Sequence, residues 1–337
     1  MELYDLLKLY TKKFTSKNTP VSVFINELLE CQAMLKDHDV NNKLLEELVF
    51  KYAAAEKKLK RLNRELIWQQ NRIQEDLDAA ADIQKSLLPQ KTNITEQMDV
   101  AWYFEPCDKI GGDIFNMIQL DDDHWAIYML DVSGHGVPAA MVTVSVSQLM
   151  QLHTGFLIKK STGSAYDSQI MSPVEVLNAL DQEFSFDRFN NFFTINYFVL
   201  NTKTGQFNYA NAGHPKSVIL RKNGLFEELT ESGPAIGTLN FRPVENEIFF
   251  KEEQFQIYPG DKVVLYTDGL VEYFNEDAEF YGIKRFYDTL IQLNQKPVSE
   301  IVNTLIKSLK AFGNNAKTAD DITLLVFELK NVNQVYT

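Results

Sequence analysis

Four aspartates mark turns that border apolar runs of the chain. Asp131 directly follows the run 125–130 and opens the turn Asp-Val-Ser-Gly-His-Gly. Asp113, Asp268 and Asp320 lie in the short sequences Gly-Gly-Asp, Thr-Asp-Gly and Asp-Asp-Ile-Thr. Carboxylates that gather at strand ends without a cysteine or histidine cluster are the ligands that hard cations such as Mg²⁺ and Mn²⁺ prefer. The pattern therefore predicts metal-dependent hydrolytic chemistry.

Hydrolysis of a phosphate monoester suits such a cluster. The ester carries full negative charge, so the reaction needs charge neutralisation and a water that is nucleophilic near neutral pH, and two cations that share a ligand supply both. Asp131 is the predicted shared ligand, because the glycines after it permit a close turn in which the carbonyl of Val132 points inward. Taken singly, each acid also fits an ordinary turn residue, so the hypothesis depends on all four together.

The elements that must position these acids change in character at Pro89. Residues 41–88 contain neither glycine nor proline, whereas the later sequence consists of apolar runs separated by Gly, Asn and Asp. The predicted strands are 100–104, 125–130, 192–200, 207–210, 217–220, 263–266 and 322–329. The predicted helices are 138–153, 173–184 and 298–312. Strands and helices are segregated enough to favour an α+β fold over a regularly alternating parallel sheet.

Residues 41–88 carry a seven-residue apolar repeat that is typical of a coiled coil. Counted from Leu45, the first and fourth heptad positions are Leu45, Leu48, Tyr52, Ala55, Leu59, Leu62, Leu66, Gln69, Ile73, Asp76, Ala80, Ile83 and Leu87. A seam this narrow favours a parallel dimer of helices, and the alternative is a single helix that lies on its own domain.

Size and composition are those of an ordinary globular protein. The chain has 337 residues, 45% of them hydrophobic, and a formal net charge of -13. This charge argues against nucleic acid or an anionic membrane as a partner, since both recruit excess Lys and Arg. The two cysteines, Cys31 and Cys107, imply no disulfide framework, and neither a signal peptide nor a membrane-spanning run is evident. We therefore expect a cytoplasmic protein without membrane insertion.

Five motifs in a fixed order resemble the metal-dependent PP2C-type (PPM) serine phosphatases of the bacterial RsbU/SpoIIE-like branch. They are Gly-Gly-Asp-Ile-Phe ending at Phe115, Asp-Val-Ser-Gly-His-Gly ending at Gly136, Asn-Ala-Gly-His-Pro ending at Pro215, Tyr-Thr-Asp-Gly-Leu ending at Leu270, and Asp-Asp-Ile-Thr ending at Thr323. The resemblance implies a β-sandwich of two antiparallel sheets flanked by helices, an α+β fold, here preceded by the α-helical coiled-coil linker.

The resemblance also implies a role for each acid. It implies that Asp131 bridges two Mn²⁺ or Mg²⁺ ions and that the main-chain carbonyl of Val132 binds one of them. Asp113 would serve the second ion, and Asp268 and Asp320 would complete the shell of the other. The attacking group is then a water held by the metals, so Asp131 and Asp113 are catalytic only through that water.

Four further residues near the motifs have separate assignments. Asp321 is expected beside the metal ligands rather than among them. His135 could be a general acid or could order its loop, and both roles stay open. His214 is expected to order its own loop. Lys109 is the candidate phosphate contact, because the arginine that many PP2C enzymes outside this branch use has no clear counterpart here.

The predicted organisation has four parts. Residues 1–40 form a helical docking or regulatory segment, 41–90 the dimeric linker helix, 91–331 the phosphatase domain and 332–337 a tail. The resemblance implies a phosphoserine protein of the anti-sigma-factor antagonist type as substrate. We hypothesise that an upstream regulatory protein binds the N-terminal helices and that the chain forms a homodimer.

Two rival functions are consistent with parts of the sequence. Gly-Gly-Asp-Ile-Phe resembles the Gly-Gly-Asp-Glu-Phe signature of diguanylate cyclases, but Ile114 stands where their second acid should be. The other rival is a non-catalytic PP2C-like signalling scaffold that binds a partner and transmits through the coiled coil. The retention of an acid at every candidate ligand position argues against that loss of activity.

Overall fold

The computed structural model describes residues 38–89, 96–151, 158–164, 167–230, 232–238 and 249–330. The predicted tail 332–337 lies outside the described residues, and so does the predicted segment 1–40 apart from the start of a helix at His38. The boundary between two compact units of the chain falls between Asp76 and Leu77. This boundary lies within the long helix rather than at its end.

Helix α1 runs without interruption from His38 to Leu87. No glycine or proline occurs between residues 41 and 88, and Pro89 cannot continue a helix because it lacks an amide hydrogen. Ion pairs between residues four apart support the exposed surface, for example Lys60 with Glu56. The exposed large apolar residues at the predicted heptad positions before Leu77 are Leu48, Leu59, Leu62, Leu66 and Ile73.

The last two turns of α1 belong to the second unit and contact it. Leu77 and Ala80 pack against a small apolar cluster that contains Ala81, Ile110 and Ala140. Leu87 packs against the larger cluster on one face of the domain. Ala80 and Leu87 of the predicted seam therefore contact the chain's own domain, as in the alternative of a helix that lies on it, whereas Ile83 between them is 61% exposed. The dimer seam stays a prediction.

Twelve strands are described in the second unit. They are β1 Met98–Glu105, β2 Ile114–Gln119, β3 His124–Val132, β4 Lys159–Ser164, β5 Asp167–Ile170, β6 Phe193–Asn201, β7 Gln206–Ala212, β8 Val218–Leu220, β9 Phe226–Glu228, β10 Glu253–Gln256, β11 Lys262–Tyr266 and β12 Ile322–Leu329. One antiparallel sheet has the order β1-β12-β11-β8-β9, and the other has the order β10-β7-β6-β3-β2. Strands β4 and β5 form a separate hairpin.

Six helices follow α1 in the described part of the chain. They are α2 Val137–Leu149, α3 Pro173–Glu183, α4 Phe186–Phe189, α5 Asp268–Val271, α6 Gly282–Gln292 and α7 Val298–Phe312. None of the helices among the described residues combines the length and the apolar character that crossing a bilayer requires.

The two sheets face each other and form a sandwich between helices. Side chains alternate along each strand, so one face of each sheet contributes to a shared interior that includes Phe115, Met129, Phe198, Val263 and Leu325. The outer face of the sheet that contains β3 packs against α2 and α3. The outer face of the sheet that contains β11 packs against α6 and α7. The predicted α+β sandwich of two antiparallel sheets is confirmed.

Every predicted strand is present, and no end differs by more than two residues. Helix α7 has the predicted bounds, whereas α2 ends at Leu149 instead of the predicted His153. The sequence analysis did not predict β2 or α6. At the start of β2 the side chains on both faces are buried, Ile114 in one apolar cluster and Phe115 in another. Its sequence therefore lacks the alternation of apolar and polar residues that marks a half-exposed strand.

Candidate metal centre

The predicted metal-binding residues converge at one end of the space between the two sheets. On β3 the side chain of Met129 faces this space, so alternation turns Asp131, two residues later, toward it as well. The same reasoning applies to Asp113, which lies two residues before Phe115 of β2. The structure therefore brings together acids that are far apart in the sequence.

Asp113 is the most deeply buried of the predicted carboxylate ligands, with 1% of its surface exposed. Its Oδ2 accepts hydrogen bonds from the hydroxyl groups of Thr267 (2.7 Å) and Thr323 (2.6 Å). Both threonines belong to the opposite sheet or its border, so Asp113 connects the two sheets at this end. Asp113 and Asp131 are close enough for each to influence the pKa of the other.

Negative charge accumulates around Asp131. Burial, and then the charges of Asp268, Asp320 and Asp321, raise the pKa of Asp131 to about 8. Burial, and then the charges of Asp131 and Asp321, raise the pKa of Asp113 well above its usual value. A raised carboxyl pKa means that the surroundings oppose the charged form, and a bound divalent cation relieves that opposition. The donor set therefore fits a hard divalent cation.

Asp268 and Asp320 complete this acidic group. Burial is the main reason why the pKa of each is raised, and the charge of Asp268 adds to the effect at Asp320. Asp268 is the first residue of the short helix α5, and Asp320 lies just before β12. The four predicted carboxylate ligands thus share one electrostatic environment.

The carboxylate of Asp321 accepts hydrogen bonds from backbone amides of the loop that carries Asp113. Its Oδ1 accepts a hydrogen bond from the amide of Cys107 (2.7 Å), and its Oδ2 accepts from those of Gly112 (2.6 Å) and Asp113 (3.1 Å). Three amide donors occupy the carboxylate oxygens on the loop side. This arrangement favours a supporting role for Asp321, as the sequence analysis expected.

Glycines allow the acidic loops to approach each other closely. A Cβ on Gly111 would lie 2.2 Å from Oδ2 of Asp321, and one on Gly269 would lie 2.1 Å from the carbonyl oxygen of the same residue. At Gly112 a Cβ would lie 2.8 Å from the carbonyl oxygen of Val132. Any larger residue at the glycines of Gly-Gly-Asp and Asp-Gly would therefore clash with atoms around the centre.

The sequence analysis did not connect Cys107 with this site. A thiol and carboxylate oxygens of Cys107, Asp320 and Asp321 lie within 4.8 Å of one another. Burial and the neighbouring Asp321 raise the pKa of the Cys107 thiol to about 12. The backbone amide of Cys107 donates to Asp321, so we assign Cys107 to the support of Asp321.

Residues 121–330 match the protein family described as Stage II sporulation protein E (SpoIIE). The chain belongs to the SpoIIE family. It is 28% identical to Protein IcfG of Synechocystis sp. over 74% of its length and 41% of that protein. It is 23% identical to phosphoserine phosphatase RsbP and 26% identical to phosphoserine phosphatase RsbU, both of Bacillus subtilis. Those matches cover 76% and 77% of the chain, and 58% and 72% of the relatives.

The chain therefore spans less than two thirds of the length of IcfG and RsbP. Among solved structures it is similar to the SiaA-PP2C domain of Pseudomonas aeruginosa, with a TM-score of 0.63 and 22% identity. That likeness covers 78% of this chain and 99% of the SiaA-PP2C chain. The predicted PP2C fold is confirmed by this similarity.

Two other predicted residues lie at the border of the site in this SpoIIE-family chain. Lys109 forms an ion pair of 2.6 Å with Asp78 of α1, so its charge is already partly neutralised. His135 is 66% exposed, and its Nδ1 lies 3.4 Å from a carboxylate oxygen of Asp108. The position of His135 on an exposed loop leaves both of its predicted roles open.

Gln84 is a further residue that the sequence analysis missed. Its side-chain amide donates to the carbonyl of Gly111 (2.7 Å) and accepts from the amide of the same residue (3.1 Å). Gln84 is 3% exposed, and it holds the backbone of Gly111 in the loop that Asp321 also supports. The signal was its spacing from Leu77 and Ala80, which places it on the helical face that contacts the domain.

Proposed function

We propose that the chain is a metal-dependent phosphatase that hydrolyses phosphoserine in a partner protein. The observation that carries this proposal is the crowding of Asp113, Asp131, Asp268 and Asp320, whose pKa values are all raised in the folded chain. Membership of the SpoIIE family supports it, and so do the relatives RsbP and RsbU, which are named phosphoserine phosphatases.

In this proposal two Mn²⁺ or Mg²⁺ ions are held by the four carboxylates and by the carbonyl of Val132. When bound, the ions neutralise the charge of the phosphate and make a water nucleophilic near neutral pH. Thr267 and Thr323 keep Asp113 in place through their hydroxyl groups. Asp321 keeps the preceding loop in place through three backbone amides.

The phosphate-binding role of Lys109 requires an exchange of partners. The ammonium group now contacts Asp78, and both side chains are about half exposed. An exposed ion pair contributes at most about 1 kcal/mol to stability, so a dianionic phosphate could compete for Lys109. We keep Lys109 as the proposed phosphate contact.

The substrate that we propose is a phosphoserine protein of the anti-sigma-factor antagonist type. The order and spacing of the five motifs support this choice, through their resemblance to phosphatases of partner-switching pathways. We also propose that the chain acts in the cytoplasm as a homodimer. The exposed leucines of α1 support dimerisation, because an apolar seam of this kind is stabilised by a second helix.

We further propose that a regulatory protein at the N-terminal helices acts on the site through α1. The contact that supports this idea is the double hydrogen bond between Gln84 of α1 and Gly111, two residues before Asp113. A small shift of the helix end would move the backbone of the loop that carries a proposed ligand. Metal sites built on loops are sensitive to such shifts.

A phosphatase assay with the full chain tests the central proposal. The substrates are candidate anti-sigma-factor antagonists phosphorylated on serine, and each is tested with Mn²⁺, with Mg²⁺ and with a chelator. We expect release of phosphate that depends on the divalent cation and is abolished by Asp131→Asn. The matched control is Asp122→Asn, which removes the same charge from an exposed acid in a turn away from the site.

Two results would contradict the proposal. Phosphate release that continues in the chelator or in Asp131→Asn would show that the acidic group does not carry the reaction. A folded wild-type chain that leaves every phosphoserine substrate untouched in both metals, as monomer and as dimer, would favour the non-catalytic scaffold.

A further inference from the structure

The motif Asn211-Ala212-Gly213-His214 forms a turn that fixes one buried imidazole. The side chain of Asn211 accepts a hydrogen bond from the backbone amide of His214 (3.0 Å) and donates one to its carbonyl (2.8 Å). Gly213 has a φ of 71°, a conformation that glycine adopts without strain. His214 is held in place with 3% of its surface exposed.

The ring of His214 has a neighbour on each of the two sheets. Nδ1 lies 2.8 Å from the hydroxyl of Thr194 on β6. Nε2 is buried and makes no hydrogen bond of normal geometry among the described residues, although the carbonyl of Tyr266 on β11 is close enough to influence the ring. Burial lowers the pKa of His214 to about 3, and Tyr266 opposes only part of this effect. The ring is therefore neutral at physiological pH.

These neighbours select one tautomer of the neutral ring. We assign the ring proton to Nε2, because the carbonyl of Tyr266, which is an acceptor, influences the ring; Nδ1 is then the acceptor for the hydroxyl of Thr194. Thr194 then donates its single hydroxyl proton to His214. The remaining side of the Thr194 oxygen presents only lone pairs.

Thr194 and Tyr266 each lie beside a proposed metal ligand. Thr194 is the register partner of Asp131 on the adjacent strand, and directly opposed residues of an antiparallel pair have side chains on the same face. Tyr266 ends β11, two residues before Asp268. His214 thus spans the interior of the sandwich between the strand beside Asp131 and the strand that leads to Asp268.

We propose that His214 is a positioning residue of the metal centre: it draws the Thr194 proton away from Asp131 and links the two strands that lead to the acids. This inference rests on the proposed function. With its proton held by His214, Thr194 cannot donate to Asp131 and so does not compete with a cation for that carboxylate. Its lone pairs instead suit the hydration shell of a bound cation.

Two substitutions separate this role from a merely structural one. His214→Phe releases the Thr194 proton, which can then occupy Asp131, whereas Thr194→Val removes the hydroxyl and nearly preserves its shape. Loss of a residue that supports metal ligands lowers metal affinity by about tenfold or more, so we expect a loss of that size in each variant. The loss comes from the freed proton in His214→Phe and from the missing lone pairs in Thr194→Val. We expect the double variant to match Thr194→Val, because without the hydroxyl there is no proton for His214 to hold.

Calorimetric titration of Mn²⁺ into the metal-free full chain measures the affinities without any assay of turnover. His214→Gln keeps a donor and an acceptor on one planar group, and we expect it to retain most of the wild-type affinity. Tyr209→Phe is the matched control. It removes a buried hydroxyl that donates to Asn196 in the same polar network, and we expect it to leave Mn²⁺ binding unchanged.

The outcomes distinguish this inference from the proposed function. If wild-type chain shows no Mn²⁺ binding that Asp131→Asn removes, the proposed function fails. If that binding is present but both Thr194→Val and His214→Phe retain wild-type affinity, the role of His214 is refuted. Thr194 is only partly buried, so Thr194→Val alone decides the question should His214→Phe not fold.

Discussion

Asp131 keeps a proton in the folded chain at pH values where an exposed aspartate has lost it. Burial and neighbouring charges raise its pKa to about 8, compared with about 3.9 for an aspartate in an unfolded chain. Between these values the folded state binds more protons than the unfolded state, so the stability of the metal-free chain falls as the pH rises. The charges that suit a cation therefore destabilise the fold without one.

We predict that the free energy of unfolding of the metal-free chain decreases from about pH 5 to about pH 8. Asp131→Asn should flatten this decrease, because it removes one raised group and also lowers the repulsion at Asp113. Urea denaturation in the presence of a chelator gives both profiles. A wild-type stability that rises over this pH range, or an unchanged slope in the variant, would contradict the electrostatic description of the site.

Asp321 is predicted to matter for the loop more than for the ions. In Asp321→Asn one oxygen becomes an NH₂ group, which must then face a backbone amide of Cys107, Gly112 or Asp113. An unsatisfied buried donor costs about 1–3 kcal/mol, so we expect a loss of that order in the unfolding free energy. Asp320→Asn is the control, because among the described residues Asp320 accepts a single backbone amide, that of Asp321. Equal stability of the two variants would argue against this assignment.

At the scale of elements, the end of α1 is part of the support of the centre. Gln84 is buried, and its amide pairs with both backbone groups of Gly111. Asn116 of β2 also donates to the carbonyl of Leu87 (3.1 Å). The helix is thereby attached on both sides of the residue Asp113, so any change at its C-terminal end reaches a proposed ligand directly.

Gln84→Ala tests this attachment. We predict that it lowers Mn²⁺ affinity and speeds amide hydrogen exchange in the loop 107–113, because Gly111 loses two partners. Asp82→Ala changes an exposed residue two positions earlier on the same helix and should leave both quantities unchanged. Binding and exchange that match the wild-type chain in Gln84→Ala would remove the physical basis for control through α1.

The sequence predicted much of the fold because apolar runs and turn residues are local signals. The runs that became β3, β11 and β12 are buried throughout or nearly so, and α7 has one apolar face. Strand β2 was not predicted because the side chains at its start are buried on both faces, which removes the alternating pattern. The hairpin and the short strands β9 and β10 carry too few apolar residues to be recognised.

The site was predicted only in part, for a different reason. Motif order pointed to Asp113, Asp131, Asp268 and Asp320, and the structure places them in one electrostatic environment. Their role as metal ligands stays a prediction. Contacts between distant segments have no local signal, and so the roles of Gln84 and Cys107 toward the loop around Gly111 could not be derived. The link from His214 to Thr194 depends in the same way on strand register.

For the whole molecule, the exposed apolar seam of α1 predicts that two copies of the chain form a dimer. Leu62 and Leu66 are 46% and 56% exposed in the single chain, and burial of a leucine contributes about 1.5–3 kcal/mol. We predict that Leu62→Glu combined with Leu66→Glu shifts the chain toward monomer in light scattering. Arg64→Glu introduces a carboxylate between them on the outer face of the heptad repeat and should leave the mass unchanged. A wild-type chain that is monomeric at high concentration would contradict the proposed dimer.

The most direct measurement of the central claim is anomalous diffraction at the manganese edge from crystals of the full chain grown with Mn²⁺. We expect anomalous density between Asp131 and its three acidic partners, Asp113, Asp268 and Asp320, and we expect this density to disappear in Asp131→Asn. Strong Mn²⁺ density elsewhere, with ordered but metal-free carboxylates at this position, would contradict it.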